Sequence, residues 1–469
     1  MKNISEFHLS EEARIVSDHI PGERSRELLR MQEELEGAVV SYPKSIPIAI
    51  SNAKGAIIED VDGNRFIDFF AGAGVLNVGH CNEEVLEYVT RQQKVLIHAL
   101  DFPTETKLTA IKNILMHLPD GQRENYKISF GGPTGSDAVE SAIKLAKLST
   151  GRDAVIAFAG GYHGMTSTAL ALTSNTNFRN KLQNLVSNIH FIPYSYCYRC
   201  SFGQSRGSCK NECARYLKNI LEDSHSGIPK PAAIIIEPIQ GEGGNIVPKE
   251  GYLEEVIRIA HAHGVLVIFD EVQCGFFRSG EFLACMRGDT LPDIITFSKG
   301  FGGIGFPIAG LIYKKSIEAW GPGAHIGTFR GNQVSLAAAN GALDFIDKYG
   351  IKEHVNEVGA YLLEKLEDLM EECHFIGEVR GQGLMIGIEF VKDRDTKDPY
   401  PEFVKQLRNE CLQRGLIFEV GGHFDNVVRF VPPLIITKKI IDEAIGIFRQ
   451  SLASLSVIKP VQEAAGFFF

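Results

Sequence analysis

Apolar positions change their period along the chain. Between about residue 105 and 335, short β-rich runs alternate with amphipathic helical stretches. Ala154–Phe158, Ala232–Ile236, Val265–Phe269 and Ile294–Phe297 are such runs, each bounded by Gly, Pro or charged residues. Ala138–Leu148 and Leu253–His263 carry the helical spacing between them. Runs that are apolar at every position, rather than at every second one, suit strands covered on both faces. The alternation therefore predicts βαβ units and a mainly parallel sheet with helices on both faces, an α/β fold.

The flanks read differently. Residues 1 to about 40 are charged and helix-like over Glu23–Glu36, which predicts an arm. Ala56–Val61 and Arg65–Phe69, split by Asp62-Gly63-Asn64, predict a β-hairpin. After about residue 336 come helices over Ser335–Lys348 and Val355–Glu372, a strand pair around Val379–Phe390 and a closing α/β segment. The division expected is 1–85 for the arm and part of a small domain, 86–335 for a large domain, 336–455 for the rest of the small domain, and 456–469 for a weakly patterned tail. No internal repeat or low-complexity tract is present.

Composition narrows the class. A chain of 469 residues exceeds one ordinary hydrophobic core, which agrees with two domains. The formal net charge of −10 argues against a general nucleic-acid binder, which needs Lys and Arg in excess. Met1–Ile20 mixes charges and has no apolar centre, unlike a secretory signal. The longest apolar runs fall far short of the roughly 20 residues of a membrane helix, so no membrane partner is expected and a cytoplasmic protein follows by default. Nine scattered cysteines fit a reducing compartment better than a disulfide scaffold.

Three of the apolar runs end in reactive groups: Ala232–Ile236 in Glu237, Val265–Phe269 in Asp270, and Ile294–Phe297 in Ser298-Lys299-Gly300. Ligands of an open parallel sheet bind beyond the carboxyl ends of its strands, so these groups should converge there. One such residue can be no more than a solvated strand end; three together are hard to dismiss. A desolvated lysine has a lowered pKa and a free amine that attacks carbonyls. A carboxylate beside a ring nitrogen keeps it protonated and makes the ring an electron sink. Lysine and acid in these roles mark pyridoxal phosphate sites.

A phosphate needs its own cradle. Phe130-Gly131-Gly132-Pro133-Thr134-Gly135-Ser136-Asp137-Ala138 is a Gly-rich turn opening a helix, where free backbone N–H groups and the positive helix end suit a dianion. Such turns are common, and this one gains weight from Asp270 and Lys299. Tyr162, in Gly160-Gly161-Tyr162-His163-Gly164, follows another strand end and is placed to stack on a ring, or else to plug a core. His163 reads more readily as a hydrogen-bonded structural histidine. Cys197-Tyr198-Arg199-Cys200 and Cys209-Lys210-Asn211-Glu212-Cys213 form a compact four-cysteine group outside these motifs. Four thiolates so spaced can enclose zinc, although eight residues between the pairs is tight; the alternative is a loop of neighbouring free thiols, and no metal is assigned.

Together these residues resemble the class III aminotransferases of fold type I, over nearly the whole chain from Gly55 to about Leu455. The most specific motifs are Asp270-Glu271-Val272-Gln273 followed by Ser298-Lys299-Gly300, and Glu237-Pro238-Ile239-Gln240-Gly241-Glu242-Gly243-Gly244. The resemblance implies a mainly parallel seven-stranded sheet in the large domain, a smaller α+β domain, and pyridoxal 5′-phosphate as cofactor. It makes Lys299 the Schiff-base and proton-shuttling lysine and pairs Asp270 with the pyridine nitrogen. Gln273 would bond the ring hydroxyl, and Gly135 with Ser136 would hold the phosphate beside Tyr162 and His163. Thr328 would reach the phosphate from a neighbouring subunit, which implies a homodimer with shared sites and leaves a tetramer open. Glu237, Glu242 and Arg429 would line the substrate side, Arg429 gripping the 2-oxo acid carboxylate and Glu242 acting as the switch that covers or releases it.

Within the family, Phe70–Asn77, Gly132-Pro133-Thr134-Gly135, Tyr162–Thr166 and His325–Asn332 resemble the 2,4-diaminobutyrate:2-oxoglutarate aminotransferases. The small-molecule partners implied are an amino donor with a terminal amine and a 2-oxo acid acceptor. Two other classes compete. An amino-acid racemase or epimerase of the same family would keep Lys299, Asp270 and the phosphate loop and need no acceptor. A non-catalytic scaffold would bind no cofactor, which the intact Lys299 and Asp270 disfavour.

Overall fold

The computed structural model describes residues 2–180, 182, 185–288 and 290–456; all but the first residue of the 456–469 tail lies outside them. Near the N-terminus, β1 (Ile50–Lys54), β2 (Ile57–Asp60) and β3 (Arg65–Asp68) form an antiparallel meander. The central sheet uses β4 (Tyr126–Phe130), β5 (Val155–Phe158), β6 (Ile189–Ile192), β7 (Ala233–Ile236), β8 (Leu266–Asp270), β9 (Ile294–Phe297) and β10 (Gly310–Lys314). Its seven strands lie in the order β4-β10-β9-β8-β7-β5-β6, and only β10 runs antiparallel to its neighbours. The mainly parallel seven-stranded sheet is the one expected. Residues beyond 335 add β11 (Ile376–Gln382), β12 (Met385–Phe390), β13 (Leu416–Ile417), β14 (Glu419–Gly421) and β15 (Val427–Phe430). Four of these make an antiparallel sheet in the order β11-β12-β15-β14, while β13 pairs in parallel with β3 and ties the two ends of the chain together.

The continuous apolar runs are explained by burial on both faces. Successive side chains of a strand point to opposite sides. Ala233 and Ile235 accordingly pack in the core shared with the helix Gly135–Thr150, and Ile234 and Ile236 in the core shared with the helix Tyr252–Ala262. The first of these helices begins with a capping box, in which the Thr134 side chain accepts from the Asp137 N–H and the Asp137 carboxylate accepts from the Thr134 N–H. It starts at Gly135, earlier than the Ala138 expected from hydrophobic spacing, because its first turn is polar and faces the cavity.

A buried charge cluster fastens the small sheet to the loop after β7. Glu389, fully buried on β12, accepts from Arg380 at 2.6 Å, from Arg199 at 2.5 Å and from the Tyr196 hydroxyl. Arg380 in turn donates to the Gly244 carbonyl at 3.0 and 2.8 Å. Burial alone would raise the pKa of Glu389, but the two guanidinium groups hold it below the usual value. Glu389→Gln keeps the volume and removes the charge, leaving Arg380 with Glu378 as its remaining carboxylate partner and taking from Arg199 the carboxylate it pairs with. Breaking such a pair costs roughly 3–5 kcal/mol, so the midpoint of thermal unfolding should fall markedly; an unchanged midpoint would show the cluster to be dispensable.

Candidate active site

The strand ends do converge. Glu237, Asp270 and Lys299 follow or close β7, β8 and β9, three neighbours in parallel register, and all line one cavity of about 670 Å³. Asp270 is nearly fully buried, and its two oxygens are used separately. One accepts from the Thr296 hydroxyl at 2.9 Å and the Val272 N–H at 3.1 Å; the other meets His163 Nδ1 at 2.7 Å. Burial favours the neutral imidazole, but the bond and charge of Asp270 outweigh it and raise the pKa of His163. His163 is thus a buried partner of Asp270, the structural histidine its setting suggests, and it also faces the cavity.

Lys299 sits at the head of a short 3₁₀ turn with φ 44°, an uncommon conformation for a side chain to adopt. Strain of this kind persists where the surrounding structure fixes it, and it clusters at functional sites. Withdrawal from water lowers the pKa of its amine; the charge of Glu419 opposes this most, and Arg429 adds to it. Glu237 is buried, and burial pushes its pKa up to about 7. Its oxygens accept from the Tyr162 N–H and the Gly241 N–H, both at 2.9 Å, so it holds two cavity loops in place.

The helix Gly135–Thr150 points its first turn at the same cavity. Its capping box takes the N–H of Asp137, and the earlier N–H groups of Gly135 and Ser136 have no intrahelical acceptor. A Cβ at position 135 would stand 2.8 Å from Val272, so only glycine lets the turn come this close. Tyr162 also lines the cavity, edge-on to Phe178 at 5.8 Å between centroids. A phosphate at the helix end, a ring beside Tyr162 and a ring nitrogen at Asp270 match the donors present, and the residues fit pyridoxal phosphate.

Arg429 closes the far end, 1% exposed. Its Nη1 donates to Glu242 at 2.9 Å, its Nη2 to Gln273 Oε1 at 2.8 Å, and its Nε to Asn245 at 3.3 Å. Gln273, expected at a ring hydroxyl, spends its oxygen on Arg429 and donates to the Ala73 carbonyl at 3.0 Å. A second carboxylate, Glu419, lies 3.0 Å from Nη1. Burial raises the pKa of Glu242, and Arg429 opposes the rise. Thr328 is exposed and stands outside the cavity of its own chain.

Thr296, Asn245, Glu419 and Tyr42 were not singled out from the sequence; Tyr42 also lines the cavity. Thr296 was visible as a polar residue inside an apolar strand. Glu419 could have been found by folding 419–429 as a hairpin, since β14 pairs with β15 so that Glu419 faces Arg429. Tyr42, at the end of the arm, carried no local signal. Cys197, Cys200, Cys209 and Cys213 line a separate small cavity as free thiols. Among the described residues no group of three or more His, Cys, Asp or Glu is placed to hold a metal ion.

The sequence profile of the family described as Aminotransferase class-III matches residues 40–452. The diaminobutyrate–2-oxoglutarate aminotransferase of Rhizobium meliloti (strain 1021) is 40% identical over 429 residues, covering 89% of this chain and 90% of that protein. The protein of the same name from Haemophilus influenzae is 39% identical over 444 residues, 93% of this chain and 97% of its own. A Bacillus anthracis aminotransferase superposes with a TM-score of 0.84 at 28% identity, over 92% of this chain and 99% of that one. An amine transaminase from an uncultivated Pseudomonas species, in its PLP-bound form, gives 0.81 at 26% identity, over 90% and 98%.

The lowered pKa of Lys299 has a direct test on the cofactor-free protein. A small aldehyde trapped with a hydride donor at a series of pH values should label Lys299 half-maximally below pH 10.5, the ordinary lysine value. Labelling that rises together with the exposed lysines would mean that the cavity does not perturb it.

Proposed function

Since the chain belongs to the class III aminotransferases, we propose that it moves the terminal amino group of L-2,4-diaminobutyrate onto 2-oxoglutarate, giving aspartate semialdehyde and glutamate. The aminotransferase chemistry and the cofactor, pyridoxal 5′-phosphate, come with the family. Donor and acceptor are those in the names of the relatives. The observation that carries the reading is the ion pair between Arg429 and Glu242, set in the same cavity as Lys299 and Asp270. An arginine that a carboxylate can cover and uncover serves two substrates in turn, an amine and a 2-oxo acid.

When bound, the cofactor supplies an aldehyde for amines to join and a ring that takes up an electron pair. Lys299 would hold it covalently through Nζ, and the same Nζ, when free, would move the proton of the donor carbon. Asp270, backed by His163 and Thr296, keeps a proton on the ring nitrogen. Gly135 and Ser136 would hold the phosphate through backbone N–H groups. Arg429 binds the carboxylate of 2-oxoglutarate after Glu242 swings aside.

The site is completed by a second copy of the chain. Val95, Ile97, Phe102, Ile326 and Phe329 are all exposed. Their two segments adjoin through His98 and Phe329, 6.0 Å apart between ring centroids, and through the Arg330–Asp101 ion pair. An apolar patch of this kind beside a Thr328 that its own cavity does not use supports a homodimer with Thr328 serving the neighbour. Among the described residues no helix is long and apolar enough to cross a membrane.

Glutamate should form from L-2,4-diaminobutyrate only when 2-oxoglutarate is present; loss of optical activity without an acceptor would instead mean racemisation. Arg429→Ala should slow the half-reaction with 2-oxoglutarate by roughly 100-fold, the worth of a charge-assisted two-pronged contact, and the diamine half-reaction far less. Equal losses would remove Arg429 from the switch. Mixing inactive Lys299→Ala with cofactor-poor Thr328→Ala subunits should restore activity through hybrid dimers that own one intact site; no recovery on mixing would confine Thr328 to its own subunit.

A further inference from the structure

Two carboxylates stand against the single guanidinium at the end of the cavity, and the second has no assigned task. Glu419 Oε2 lies 3.0 Å from Arg429 Nη1, yet the pair is not aligned as a hydrogen bond, and this buried oxygen accepts from no donor. Arg429 already has three aligned partners in Glu242, Gln273 and Asn245. A buried acceptor without a donor is destabilising, so its retention calls for a reason. Glu419 lines the catalytic cavity and, after burial, is the strongest charge acting on Lys299.

The other charges of the cavity are spoken for. Asp270 faces His163, and Glu237 gives both oxygens to backbone N–H groups. Lys299 loses its charge when it joins the cofactor. The cavity's carboxylates therefore outnumber its cations, and Glu419 is the one whose oxygen, close to the reacting amine, is open to a donor. A cationic group on the substrate answers both the charge and the missing bond.

We propose that Glu419 is the specificity residue for the second ammonium of the donor: its open oxygen accepts from the α-ammonium of a diamino acid whose terminal amine reacts at Lys299. This rests on the diamine reading above and says how the site tells a diamino acid from an amino acid of equal length. In 2,4-diaminobutyrate the α-nitrogen is four bonds from the reacting nitrogen. In 4-aminobutyrate the chain and carboxylate are the same and that nitrogen is absent, whereas 1,3-diaminopropane keeps both amines and lacks the carboxylate.

The three amines, each given in single turnover to the cofactor-loaded enzyme and followed by the change in cofactor absorbance, separate the possibilities. Glu419→Gln should lower kcat/KM for diaminobutyrate and for diaminopropane by roughly 10- to 100-fold, the range of one charge-assisted bond, and change 4-aminobutyrate by less than about threefold. Glu419→Asp should keep the ranking of the three amines seen in the wild type. Retention of cofactor absorbance and of the wild-type unfolding midpoint shows that the variants are folded and loaded. As a readout free of turnover, the affinity for L-homoserine, a diaminobutyrate with a hydroxyl in place of the reacting amine, should fall in Glu419→Gln while that for 4-hydroxybutyrate holds.

Equal losses for all three amines, or none, would overturn the proposal, as would a variant that fails to fold while Glu419→Asp treats the three amines alike. A wild-type enzyme that ignores diaminobutyrate but prefers diaminopropane to 4-aminobutyrate, with the preference erased in Glu419→Gln, would overturn the substrate reading and leave the role of Glu419 intact.

Discussion

A guanidinium cannot be taken out of water unless the fold meets its charge and its donors together, and Arg429 and its partners are drawn from four places in the chain. Glu242 and Asn245 come from the loop after β7, Gln273 from the turn after β8, Glu419 from β14, and Arg429 itself from β15. The large sheet supplies the first two sites and the small sheet the rest. The contact is therefore a seam between the two sheets as well as part of the cavity wall. Shifting either sheet along the other would strand a charge, which gives the active site its fixed shape without any cofactor in it.

Much of this was legible in the sequence because of how strands of a buried parallel sheet are written. A continuous apolar run has to be covered on both faces, and the polar residue that ends it has to stand at the sheet's carboxyl edge. That reasoning found Glu237, Asp270 and Lys299, and the strands bearing them lie side by side as β7, β8 and β9. Other features left no such trace. β14 is three residues long and β13 only two, too short for any periodicity to register. The pairing of β13 with β3 joins residues some 350 positions apart, and only tertiary packing decides it. Gln273 shows a different limit: it lines the cavity, but its hydrogen bonds depend on a guanidinium brought from the other sheet.

Loop geometry links the seam to the chemistry. The turn carrying Glu242 is pinned at both ends, by the Gly241 N–H on Glu237 and by the Gly244 carbonyl on Arg380. Between the pins, Gly241 leaves room for Gln273, whose oxygen a Cβ there would strike. The Gly422 N–H also bonds the Glu242 carbonyl at 2.9 Å, so the backbone of the turn is held from the end of β14 as well. With its backbone anchored this way, Glu242 is left with side-chain rotation as its free motion.

That restriction separates the two carboxylates on Arg429. Glu242 is 31% exposed at its side chain and can turn toward solvent at the cost of little more than its ion pair, whereas Glu419 is 17% exposed on a strand paired along its length with β15. On the proposed reaction, Glu242 is the group that moves and Glu419 the one that stays. When Glu242 leaves and a 2-oxo acid arrives, one carboxylate replaces another, so Arg429 keeps two negative partners and the local charge is unchanged. When Glu242 returns, Arg429 is covered again and the open oxygen of Glu419 is the remaining charged acceptor near Lys299. A single guanidinium can thus serve an anionic and a cationic partner in turn, because one of its two counter-ions is mobile and the other is built into the sheet.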